Sequence, residues 1–151
     1  MPTYDPQARN AQRYPRVTSR EEMDTMPRLP FNTGIGTAIF LSTEKDDARH
    51  FRQGICYQEP DHLPYHWDQT NFDETHYVIV GKIRLRCEDG SGRIVYLEAA
   101  AGEHIFCPAG FKYTLETSGI YTEFFWTSSP SPSYGLIEIP EYSAALRAMR
   151  K

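Results

Sequence analysis

The sequence is poor in several things whose absence excludes whole classes of function. It holds three cysteines, Cys56, Cys87 and Cys107, widely spaced and without a CxxC pair. Neither a disulfide framework nor a zinc knuckle can be built from them, and a reducing compartment fits. Positive charge is not in excess: 16 Lys and Arg stand against 20 Asp and Glu, a formal net charge of −4. No basic field exists to draw nucleic acid or an anionic membrane surface. No apolar run approaches a membrane span, and the opening MPTYDPQARNAQRYPRV has no apolar stretch to act as a signal peptide. The expectation is a cytoplasmic protein with no nucleic-acid partner and no membrane. Internal repeats and low-complexity tracts are also missing.

What is present is β pattern. A chain of 151 residues is one ordinary domain. Residues 1–30 carry prolines at 2, 6, 15, 27 and 30 among charged residues, which reads as an extended arm suited to crossing onto a neighbouring subunit. Within it, Ser19 and Glu22 form a capping-box pattern that predicts a helical turn over REEMDTM. From about Ile35, short alternating runs follow: GTAIFLST, FRQGICYQ, THYVIVGKIRLRC, GRIVYLEA, EHIFCPA, KYTLET and IYTEFFWTS. Turn-rich clusters such as EKDD, EPDHLP and EDGSG separate them. This predicts an all-β sandwich, barrel or jelly roll over 31–140. SSPSPSYG at 128–135 reads as a linker. EYSAALRAMR, after Pro140 and ending in basic residues, predicts a short C-terminal helix within 141–151, packed outside the barrel.

The chemistry concentrates in HLPYHWDQTNFDETHYVIVG, residues 62–81. Side chains two apart on a strand share a face, so Glu74 and His76 are expected to point inward with Val78 and Val80. Their Cα atoms would lie roughly 6.5–7 Å apart, close enough to converge on one ion or one substrate group. An unpaired buried carboxylate costs several kcal/mol, so Glu74 needs a cation, an imidazolium or a proton. His76 reads as a metal ligand or as a core histidine bonded to Glu74. His66 would share the inward face if the strand began there, and His62 is expected to face water. His66, Glu74 and His76 together would suit zinc, iron, nickel or manganese.

Two local patterns narrow the architecture: Glu74 and Gly81 in DETHYVIVGKI, then Gly102, Pro108 and Gly110 in AGEHIFCPAGFKY. In this order the pair resembles the two motifs of the cupin superfamily, over roughly residues 35–128. The resemblance implies a double-stranded β-helix, a jelly-roll barrel whose interior holds a metal. The departures are equally plain. Trp67, Asp68, Gln69 and Thr70 occupy the region of the family's His-x-His pair, the second motif's histidine position falls on Tyr113, and Glu74 alone keeps its identity. Trp67 upstream of Phe72-Asp73-Glu74, with FFWTSSP closing the last strand, looks like the ethanolamine-utilisation (EutQ-like) cupins.

Two functions remain open at this level. One is a small enzyme of lyase, isomerase or hydrolase type, with a divalent metal on His66, Glu74 and His76 polarising a small carbonyl or carboxylate substrate and Tyr113, with Glu74, moving protons. The missing three-histidine site argues against oxygen chemistry. The other is a metal-free accessory or ligand-binding cupin. Trp67, Phe72, Glu123 and His104 are further candidates to line the substrate pocket. Cys107 reads as a small buried hydrophobe. Pairing through edge strands and the arm predicts a homodimer.

Overall fold

The structure is a computed structural model describing residues 16–130 and 139–150. In chain order the elements are α1 (Arg20–Asp24), β1 (Arg28–Asn32), β2 (Ile35–Leu41), α2 (Thr43–Asp46), β3 (Arg52–Gln58), β4 (Tyr65–Gln69), β5 (Asp73–Val80), β6 (Lys82–Glu88), β7 (Ile94–Ala100), β8 (His104–Cys107), β9 (Phe111–Glu116), β10 (Thr122–Ser129) and α3 (Pro140–Ala148). The strands form two antiparallel sheets, one ordered β1-β2-β3-β10-β5-β8 and the other β4-β9-β6-β7. Non-sequential neighbours such as β3, β10 and β5 give the jelly-roll arrangement expected from the sequence.

Alternation decides which side chains meet between the sheets. Ile83, Leu85 and Cys87 of β6 face Val78, Phe124 and Trp126 of the other sheet in one core cluster. Gly81 closes the β5–β6 turn at φ +77°, and a Cβ there would meet the Tyr121 carbonyl oxygen at 2.2 Å, so only glycine fits. A second cluster forms on the outer face of the six-stranded sheet, where Ala38, Phe40, Ile55 and Tyr57 pack with Met26, Met23 and Met149.

Several expectations change here. Residues 1–15 and 131–138, half of the arm and most of the linker, lie outside the described residues. The rest of the arm runs along its own barrel. Ser19 and Glu22 make the capping box of α1, 3.1 Å and 2.7 Å. Arg20 bonds Glu123 at 2.7 Å, Asp24 accepts from the Tyr57 hydroxyl at 3.0 Å, and Arg28 sits over the Tyr57 ring. Strand pairing already includes Arg28 with Ala38, before the expected barrel start at residue 31. The C-terminal helix forms, but Tyr142 and Leu146 enter the core between the sheets instead of remaining outside. The Tyr142 hydroxyl donates to the Pro27 carbonyl at 2.7 Å and accepts from the Ile39 amide at 3.1 Å. An amphipathic helix beside the open end of a sandwich gains more by inserting its apolar face than by lying on a polar surface. No helix among the described residues is long and apolar enough to cross a membrane.

Candidate functional site

Strand β5 alternates as its sequence demands: Asp73 and Tyr77 point out, while His76 and Val78 are buried. Val80 does not follow. It is 43% exposed, because β5 carries an extra residue there: consecutive Phe124 and Glu123 of β10 pair with Val78 and Val80, leaving Ile79 between them unpaired and turning the strand end outward.

Inside, His76 Nε2 lies 2.6 Å from Glu74 Oε1, with the His76 side chain 1% exposed and that of Glu74 14%. The carboxylate can only accept, so the imidazole donates through Nε2. That fixes the tautomer of the neutral ring and leaves Nδ1 as a lone-pair acceptor, the same division of labour by which a carboxylate orients a histidine base. Phe124 and Trp67 hold the ring, with centroids at 4.6 Å and 6.1 Å. His76 Nδ1 is buried and has no hydrogen-bond partner among the described residues. Leaving such an atom unsatisfied costs about 1–3 kcal/mol, a cost that a bound donor would remove.

His76 and Glu74 line a cavity of about 500 Å³ between the sheets, with Tyr65, Trp67, Phe72 and Trp126 among its walls. Tyr65 stacks on Phe31 at 4.2 Å and on Trp67 at 5.5 Å. Burial, then the Glu74 charge, push its phenol up to about 12, so it is a protonated donor at neutral pH. Burial and then Glu74 likewise raise the Cys56 and Cys107 thiols, which makes them neutral and unreactive. At one end Arg52, 1% exposed, donates to both Glu44 oxygens at 2.8 Å and 2.9 Å. Gly54 leaves room for Trp126: a Cβ there would meet the indole at 2.5 Å.

The other candidates distribute differently. Trp67 and Phe72 line the cavity. His66 does not, since β4 belongs to the other sheet and turns Trp67 inward and His66 outward, where Nδ1 lies 2.7 Å from the Thr114 hydroxyl. Tyr113 faces inward against Trp67, but its hydroxyl donates to the Pro108 carbonyl at 2.8 Å, and burial above all holds its pKa far above the ordinary phenol range. It props the PxG corner, where the Gly110 amide donates to the Gln69 carbonyl and the Ala109 amide to Asp73. Glu123 points to the outer face and serves Arg20 and Tyr121. His104 is exposed on β8. His62 is buried, 3% exposed, with Nδ1 2.8 Å from the Leu63 carbonyl oxygen. Tyr65 was missed; its odd-numbered alternation with Trp67 and Gln69 was the available signal.

The implied metal can be tested on this donor set. Only Glu74 and His76 converge, they are committed to each other, and no group of three His, Cys, Asp or Glu side chains suited to a metal occurs among the described residues. The residues present do not fit the three-ligand site expected from sequence.

No protein-family model and no curated protein matches the chain. Solved structures do. A point mutant of Bacillus subtilis oxalate decarboxylase aligns with TM-score 0.65 and 13% identity over 74% of this chain and 29% of that one. A formate complex of the Lactobacillus farciminis oxalate decarboxylase gives 0.62 and 16% over 74% and 32%. With the motif pair and the two-sheet jelly roll, these define the class by its architecture: the chain has the cupin fold. The Clostridium difficile EutQ protein shares 26% identity over 65% of this chain and 64% of that one, with TM-score 0.50. The chain thus spans just under two thirds of that protein and less than a third of either decarboxylase.

Proposed function

We propose that this cupin binds a small carbonyl-containing metabolite in its aromatic-lined cavity and moves a proton on it, as an isomerase or lyase does, using side chains rather than a three-ligand metal centre. His76 Nδ1 takes the proton from the carbon beside the carbonyl. Glu74 holds the ring in the tautomer that leaves Nδ1 free and stabilises the imidazolium that forms. The Tyr65 hydroxyl donates to the oxygen on which negative charge develops. Aromatic walls exclude water, which strengthens each of these interactions. The observation that carries this reading is the buried His76 Nδ1, which has no hydrogen-bond partner among the described residues, on a ring that lines the cavity.

The test is a screen of small ketones, aldehydes and keto acids incubated with the protein in heavy water, with deuterium uptake beside the carbonyl followed by NMR. Wild type exchanges at least one compound, His76→Ala does not, and a chelator changes nothing. Chelator-sensitive exchange would overturn the reading. Compounds that raise the melting temperature without exchanging would instead mark ligand capture, the metal-free accessory function.

A further inference from the structure

Directly opposite residues of the six-stranded sheet form the inward rows that floor the cavity. Arg52, Ser128 and Glu74 make one row across β3, β10 and β5, and Gly54, Trp126 and His76 make the next. The first row is polar, but its cation is already matched, because Arg52 donates to both oxygens of the buried Glu44. Glu74 and the exposed Asp68 then add two carboxylates to the lining, and no Lys or second Arg stands there among the described residues. The Glu74 charge reaches across the space: after burial, it is what raises the Tyr65 phenol and the Cys56 thiol.

The aromatic groups are set in two ways. In the second row the Trp126 indole leans away from His76, over Gly54, where no Cβ stands in its path, and its Nε1 donates to Thr37 Oγ1 of β2 at 2.8 Å. It therefore lies along the sheet as a floor. From the other sheet, Tyr65 stacks on Phe31 and on Trp67, and Trp67 stacks on Tyr113 as well. Rings with two stacked neighbours turn edges, not faces, to the cavity, and a ring edge is the positive part of the quadrupole.

Resting on the proton-transfer reading above, we propose that the substrate is an uncharged ketone that carries a ring, the ring lying between Trp126 and the edges of Tyr65 and Trp67 and the carbonyl turned to the Tyr65 hydroxyl and His76. Three alternatives fit less well. A keto acid would bring its carboxylate beside Glu74 in a low-dielectric cavity. An ammonium compound would need ring faces, which the stack has used. An acetone-sized compound would leave most of the apolar wall uncovered, since about 150 Å³ already holds benzene and this cavity has about 500 Å³.

The chain's two tryptophans, Trp67 and Trp126, both line the cavity, so quenching of their fluorescence, corrected for absorption by the probe, reads binding there. Four probes separate ring from charge: phenylacetone, phenylpyruvate, the trimethylammonium derivative of phenylacetone, and acetone. With the full chain, phenylacetone should bind at least tenfold more tightly than each of the others, and Glu74→Gln should shrink its lead over phenylpyruvate at least threefold. No saturable quenching by phenylacetone, phenylpyruvate binding as tightly, or a lead that Glu74→Gln leaves unchanged would overturn the proposal. Deuterium exchange on the same compounds is read separately. Phenylacetone bound with this preference but not exchanged supports the ligand class and sinks the proton-transfer reading. Phenylpyruvate exchanged faster than phenylacetone, and dependent on His76, keeps that reading and overturns this one.

Discussion

Glu74 and Glu123 stand on neighbouring strands of one sheet, and each is tied to a nitrogen base, but they serve opposite faces. Glu74 turns into the cavity and bonds His76 at 2.6 Å. Glu123 turns to the outer face and bonds Arg20 of α1 at 2.7 Å, with the Tyr121 hydroxyl also donating to it at 2.9 Å. The inner carboxylate has a neighbour whose second nitrogen is buried without a hydrogen-bond partner among the described residues. The outer one fastens the residues before the barrel and leaves nothing for chemistry. Strand parity, not residue type, makes one a site and the other a clasp.

The comparison can be broken by substitution. The largest effect belongs to the inner face: His76→Ala should lower proton exchange by about 10²–10⁴-fold, with Glu74→Gln close behind, while Glu123→Gln leaves the rate alone. Kinetics on any compound found by the heavy-water screen checks this, and a rate loss in Glu123→Gln would erase the distinction. Next comes the ion pair at the cavity's end. Arg52→Met strands a buried Glu44 and should cost about 3–5 kcal/mol in urea unfolding.

Tyr65 offers a smaller, pH-resolved effect. Burial raises its phenol from 10.0 to about 12, so the folded protein holds this proton more tightly than the unfolded chain. Its contribution to stability is complete below pH 10 and is lost as pH climbs through about 12. Tyr65→Phe should remove that part of the alkaline slope, read from melting temperatures across the window. Smallest is the clasp. Glu123→Gln gives up an ion pair whose Arg20 side chain is 44% exposed, worth about 1 kcal/mol or less, and its small loss should shrink further in salt.

Much of this was legible in the sequence. The motif pair points to the jelly roll, and period-two alternation puts Glu74, His76 and Val78 inside, as found. Legibility ended where parity had to be carried across an interruption. His66 was assigned the β5 face through residues 70–72, but the chain changes sheets there, and counting along the sequence then has no meaning. Val80 was lost to a bulge within β5, where the extra residue Ile79 interrupts the alternation and an unbroken run of β-formers does not announce it. Glu123 sits between inward Thr122 and Phe124, so its parity was available; what its sequence neighbours could not show was Arg20, distant along the chain but adjacent in space. Strand β1, RLPFN, was hidden by a proline that an edge strand tolerates.

The most direct test of the central claim needs no ligand. Long-range proton–nitrogen NMR on nitrogen-15 histidine-labelled protein reports which ring nitrogen of His76 carries the proton. Nε2–H with a bare Nδ1 near neutral pH, altered in Glu74→Gln, is the predicted result. A proton on Nδ1 with Nε2 bare, or a signal indifferent to Glu74, would contradict the account.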